Sequence, residues 1–291
     1  EACVNAHLKY YRETDLDFVK IMCDGYFPFP LPLIRKAEDW NRVKPLEADD
    51  PFITEQVDRA RAIVKEIGNE RCVFYNVFAP FSSLRFGAGA VGLSEEQVME
   101  HVRSDPNAVM RALDAIAQSN ALLAEKLITE AGCDGVYYCV QSGEPNRFKP
   151  EEYRKIVRPS DLYVLEHVNR FSENNIMHMC GWSGEPNQIK LWQDYPVKVV
   201  NWAVFVENMT LEQGRKFFGG RTCLGGYETH WDGRIQQGII YHGTKEELQD
   251  YTRELILNHG KLGLMLGGDC TIDAKIDWER LRWIVEAARS L

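Results

Sequence analysis

The chain has 291 residues, 45% of them hydrophobic, enough for one large domain and close to the length of an eight-stranded α/β barrel. Its net charge of −9 and pI near 5.4, with acidic and basic side chains interleaved, argue against nucleic acid or an anionic membrane as a partner. The eight cysteines lack the spacing of a disulfide framework, so a reducing cytoplasm is expected, and no apolar run approaches membrane-spanning length.

Residues 2–13 carry a helical pattern, 17–22 read as a short strand ending at Cys23-Asp24-Gly25, and 27–32 form a proline-rich loop. A helix over 55–67, with Val57, Ala60, Ile63, Val64 and Ile67 on one face, is closed by Gly68. It feeds an aromatic and β-branched strand over 71–79, which Pro80 stops. Residues 81–93, with three glycines, read as a long loop. Ser94-Glu95-Glu96-Gln97 is a capping box, and Asp105-Pro106 opens a long helix that Gly132 closes.

A strand over 135–141 then ends in Ser142-Gly143-Glu144-Pro145, and 151–173 are helical with a break at Pro159. Strands follow at 174–180, 197–205, 221–227 and 262–266. Thr210, Thr244 and Asp277 cap the intervening and final helices. Seven apolar strands alternating with helices are the pattern of a buried parallel sheet. The expected fold is α/β, a single (βα)8 TIM-type barrel domain over residues 1–291, with its first strand upstream of Glu1. A doubly wound open sheet fits the same count, but no G-x-G-x-x-G follows the first strands.

His178 and Cys180 lie two apart in an apolar strand, so they share a face. Gly181 ends the run and places both at the carboxyl end, where parallel α/β folds build their sites. Cys270 follows a second apolar strand and two glycines. One imidazole and two thiolates suit Zn²⁺ with a fourth position open. The plain alternative is a hydrogen-bonded core histidine and two buried thiols. Cys139, within the preceding strand, is expected to stay outside this set.

Asp24 and Glu144 also fall at strand ends beside glycines, as general acid/base groups, a fourth ligand, or ordinary loop acids. Asn201 and Trp202 close another strand and are expected to line the substrate pocket. His230, in Glu228-Thr229-His230-Trp231-Asp232-Gly233, approaches the D-x-H-x-x-G loop of corrinoid binding with Glu in place of Asp. It reads as pocket lining or as chance.

The order of elements, the His178-x-Cys180-Gly181 strand, the Tyr241-His242-Gly243-Thr244 helix start and the closing Gly267-Gly268-Asp269-Cys270-Thr271-Ile272 resemble the uroporphyrinogen decarboxylase superfamily over nearly the whole chain. The resemblance implies a (βα)8 barrel and one of two chemistries, tetrapyrrole decarboxylation or zinc-dependent methyl transfer between a corrinoid and a thiol. The His-x-Cys pair with a late Cys resembles the methyltransferases, although these usually carry Gly-Cys-Asp where this chain has Gly268-Asp269-Cys270. Of the decarboxylase pattern only Asp24 has a counterpart.

The expected function is therefore a zinc methyltransferase moving a methyl group between a corrinoid (methylcobalamin) carrier and a thiol acceptor. Its expected partners are a small-molecule thiol and a separate corrinoid protein, with a homodimer open to it as an assembly. The alternatives are a cofactor-independent uroporphyrinogen decarboxylase and a non-catalytic barrel that binds a corrinoid or a thiol.

Overall fold

A computed structural model of the protein describes residues 1–23, 27–68, 70–229 and 238–291. Its strands are β1 (Phe18–Ile21), β2 (Cys72–Phe78), β3 (Gly135–Val140), β4 (Ile176–Met179), β5 (Val199–Trp202), β6 (Thr222–Tyr227) and β7 (Leu264–Gly268). They pair in parallel in the order β1 to β7, every strand beside its neighbour in the chain. The helices are α1 (Ala2–Thr14), α2 (Pro51–Ile67), α3 (Pro80–Ala90), α4 (Glu95–Ser104), α5 (Pro106–Thr129) and α6 (Pro150–Ile156). They continue with α7 (Arg158–Val168), α8 (Leu211–Phe217), α9 (Ile239–His242), α10 (Lys245–His259) and α11 (Trp278–Arg289).

Alternate strand residues face opposite sides of a sheet, and the burial separates here accordingly. Val73, Tyr75, Val77, Val136, Tyr138, Met177, Val200 and Trp202 pack outward into the helix layer. Facing inward, Phe74, Tyr137, Ile176 and Leu224 form one cluster with Phe18, Val199 and Met265. That cluster takes one residue from each strand. An open, flat sheet could not bring β1 and β7 to the same cluster, so the sheet is curled as in a barrel.

Among the described residues β1 and β7 share no ladder, and seven strands are one fewer than a closed eight-stranded barrel has. A cavity of about 1020 Å³ runs along the lumen and this seam, lined by Phe18, Lys20, Tyr137, Leu264, Met265 and Cys270 among others. No helix among the described residues is long and apolar enough to cross a membrane.

Two elements differ from the sequence reading. Residues expected to be loop after Pro80 form α3, with Pro80 at its first turn. Gly87 is needed there for close approach, since a Cβ would stand 2.7 Å from the Phe29 carbonyl oxygen. The glycine marks helix packing, not a turn. The helical stretch after 150 divides at Val157, and Pro159 sits in the first turn of α7.

Behind β3, the fully buried Asp161 of α7 accepts hydrogen bonds from Tyr195 Oη at 2.8 Å and Tyr153 Oη at 3.0 Å. Trp192 Nε1 donates to Tyr153 Oη at 2.9 Å, and its ring fills the space beside Gly143, where a Cβ would lie 2.3 Å away. This network braces the loop that leaves β3 on the site's side of the sheet. Burial raises the Asp161 carboxyl to a pKa of about 7, against the opposing hydrogen bonds from Tyr195 and Tyr153.

The folded chain thus holds a proton there that the unfolded chain loses near pH 4, so stability should fall as pH rises from about 4 to about 7 and level off above. Asp161→Asn, which keeps the neutral shape, should flatten this slope by on the order of a few kcal/mol in urea unfolding between pH 5 and 8. Parallel slopes for the two proteins would show that Asp161 ionises in the fold without penalty.

Candidate metal centre

In-register parallel pairing sets Cys139 of β3 beside His178 of β4, and His178 beside Asn201 of β5. Cys180 lies one pleat beyond His178 on the same face, and its amide continues the ladder to the Val140 carbonyl at 3.1 Å. The chain then passes so close to β5 that a Cβ on Gly181 would meet Ala203 Cβ at 2.5 Å. Cys270 arrives from the other side of the lumen on the loop after β7, its amide donating to Thr229 Oγ1 at 2.9 Å.

Three of these groups converge. Cys180 Sγ lies 3.7 Å from Cys270 Sγ, which lies 3.6 Å from His178 Nε2. A tetrahedral centre with metal–sulfur bonds of about 2.3 Å and metal–nitrogen bonds of about 2.0–2.1 Å has edges of about 3.8 Å and about 3.6 Å. The donor set suits zinc in its chemistry, and these two separations match two edges of such a centre. Cys139, His178 and Cys180 form an overlapping set, with donor atoms all within 4.8 Å of one another.

Asn201 decides which imidazole nitrogen is free. Its Nδ2 donates to the carbonyls of Leu224 at 2.9 Å and Gly268 at 3.3 Å, so its Oδ1 must face the other way. There it accepts from Tyr137 Oη at 2.6 Å and from His178 Nδ1. His178 thus carries its proton on Nδ1 and turns the Nε2 lone pair toward Cys270. Metal-bound histidines are oriented in this way, by a partner on the other ring nitrogen.

Without a cation the thiols are held protonated. The Cys180 thiol is pushed up to about 12, first by the adjacent Cys139 thiol and then by burial. Cys270 rises to about 12 through the adjacent Cys180 thiol and burial, while His178 pulls it down. A divalent cation reverses that balance, because a coordinating thiol is deprotonated.

Asn201, expected to touch substrate, faces the lumen as the residue that orients His178. Trp202, its neighbour, faces the opposite side of β5, where Nε1 donates to the Met209 carbonyl at 2.9 Å and the ring packs on Phe218. Glu144 is buried and engaged by Arg147 Nε at 3.1 Å and Ser183 Oγ at 3.2 Å, and the grouped donor atoms do not include it. Asp24 and His230 lie outside the described residues.

Sequence reasoning set Cys139 apart, yet the structure places it in the cluster; its signal was Tyr137-x-Cys139, the same inward alternation as Ile176-x-His178. It also missed two buried groups at the rim. Arg85 donates to Ser142 Oγ at 3.1 Å and Gln141 Oε1 at 3.3 Å, holding the left-handed turn at Ser142 (φ 68°), and pairs with Glu95, which Arg147 also pairs with at 2.7 Å. Asp269, beside Cys270, is raised to about 8 by burial, although the amides of Gly226 and Phe205 hold its carboxylate, each at 3.4 Å.

Among curated proteins none matches the chain. Two solved structures share the fold at 13% identity. A methyltransferase from Methanosarcina mazei superposes with a TM-score of 0.72, over 99% of this chain and 84% of its own. A protein from Listeria monocytogenes provisionally assigned as a vitamin-B12 independent methionine synthase superposes with a TM-score of 0.52, over 99% and 86%. At that identity the likeness concerns the fold alone. The family model for uroporphyrinogen decarboxylase (URO-D) matches residues 3–291, and with its curled parallel sheet the chain belongs to that family.

Proposed function

We propose that the protein is a zinc-dependent methyltransferase that moves a methyl group between a corrinoid, presented by a separate protein, and a small-molecule thiol. The observation that carries this reading is Cys270 Sγ standing 3.7 Å from Cys180 Sγ and 3.6 Å from His178 Nε2, which match two edges of a tetrahedral centre. Zinc held by these three would supply Lewis acidity that lowers the pKa of a thiol in its open position.

The chain's own residues do the rest. Asn201 keeps the proton on His178 Nδ1 and so keeps Nε2 a donor. Tyr137 Oη locks the Asn201 amide in place from the β3 side. Cys270, half-buried, is the member of the set that lines the large cavity, so that cavity is the route by which a thiol reaches the centre.

The decarboxylase alternative calls for a cationic cleft that can hold an acidic tetrapyrrole. Around the cavity, Lys20, Lys198 and Lys261 are matched by Asp17, Asp134 and Asp273, and at the rim Arg85 and Arg147 are paired with Glu95 and Glu144. Among the described residues the charges around the cavity balance.

Purified protein should hold about one zinc per chain, and Cys180→Ser and Cys270→Ser should each lose it, because only a thiolate has the softness the site needs. Metal content unchanged in both variants would remove them from the site. Asn201→Leu should keep the fold, as read by circular dichroism, yet weaken zinc binding by about 10–100-fold in chelator competition. Undiminished affinity would mean that the imidazole is oriented by something else.

Turnover tests the reaction itself. Methylcobalamin should lose its methyl group to a member of a thiol panel only while zinc is bound, slowly, because the carrier protein that positions the corrinoid is absent. Uroporphyrinogen run in parallel should be left unchanged. Chelator-resistant CO₂ release without thiol methylation would establish the decarboxylase instead, and metal binding without turnover would indicate a carrier.

A further inference from the structure

We infer that Cys139 is a metal ligand, so that the thiol-free protein holds its metal through three sulfurs and one nitrogen. The inference rests on the zinc reading above and extends it to a residue which that reading does not use. Cys139 and His178 are register partners on adjacent parallel strands, and both face the lumen. Cys180 follows on the same face, and the three donor atoms lie within 4.8 Å of one another. The separation exceeds a tetrahedral sulfur–sulfur edge by at most about 1 Å, which a rotation about one side-chain bond covers. Cys139 and Cys270 thus both stand beside His178 and Cys180, one from β3 and one from the loop after β7.

Ordinary burial does not distinguish Cys139, since free cysteine is a common core residue. Its placement does. Cys223 is just as buried but lies on the outward face of β6, with Sγ 3.9 Å from the Leu211 carbonyl. The inward face of β3 instead delivers Cys139 to the donor atoms of His178 and Cys180. The electrostatic consequence follows from donor count. Two thiolates neutralise a divalent cation, whereas a third leaves the centre with excess negative charge, which makes its sulfurs better nucleophiles and weaker attractors of a further anion.

The experiment uses the full chain loaded with zinc, and separately with Co²⁺, in the absence of any thiol. X-ray absorption of the zinc protein should count three sulfur scatterers and one nitrogen. In Cys139→Ala the count should fall to two, and the sulfur-to-cobalt charge-transfer band should lose about one third of its intensity, in proportion to the thiolates remaining. Cys223→Ala, an equally buried substitution, should change neither readout.

A wild-type count of two sulfurs, or a Cys139→Ala spectrum identical to wild type, overturns the inference and leaves the three-ligand reading standing. A loss of the band in Cys223→Ala equal to that in Cys139→Ala would show a general packing effect and also overturns it. Wild-type protein that binds no metal defeats the zinc reading itself. Should Cys139→Ala fail to fold, the sulfur count of the wild-type protein decides alone.

Discussion

In-register parallel pairing of β3, β4 and β5 is the constraint on which the site depends. Each ladder step brings one inward residue beside another, so Cys139, His178 and Asn201 form a row across three strands that are far apart in the chain. A slip of one residue in any of these strands would turn its member of the row into the helix layer. The ladder hydrogen bonds therefore hold chemistry as well as fold, and the imidazole is oriented by a neighbouring strand instead of by its own.

The outward face keeps that register from slipping. Tyr138, Met177 and Trp202 alternate with the row and are buried in the main core, so a shift would exchange large apolar side chains for polar ones on both faces. Trp202 packs so tightly on α8 that a Cβ on Gly214 would stand 2.2 Å from its ring. Around Asp161, three tyrosines and Trp192 tie β3, α7 and the segment before β5 into one block. Burial disfavours the charge on that carboxyl, and the hydrogen bonds that Tyr195 and Tyr153 donate to it offset this only in part.

Family membership alone leaves the reaction undecided, because the barrel is a scaffold and its chemistry resides in the site. Methyl transfer is proposed on local grounds: soft donors gathered around His178, and an imidazole with its Nε2 lone pair preset. Each of these is a property of particular side chains in this chain. With the Gly268-Asp269-Cys270 order, Cys270 Sγ stands 3.7 Å from Cys180 Sγ and 3.6 Å from His178 Nε2. Asp269 is turned instead to the amides of Gly226 and Phe205, leaving the thiol to face the lumen.

Local signals carried much of this protein in its sequence. Seven strands were legible from apolar runs, and the helix starts at Ser94, Asp105, Thr210, Thr244 and Asp277 are all made by the side-chain caps their spacing announced. The shared face of His178 and Cys180 follows from a two-residue period, which also sets Asn201 and Trp202 on opposite faces although both were expected to line the pocket. Closeness between strands was not legible. That Cys139 adjoins His178, that Asn201 orients it and that Cys270 crosses the lumen to meet both depend on register and curl, which are settled by hydrogen-bond ladders and core packing across the whole chain. Gly87 is the same lesson in small: by itself a glycine permits a turn or a close contact, and only the chain packed against it at Phe29 decided which.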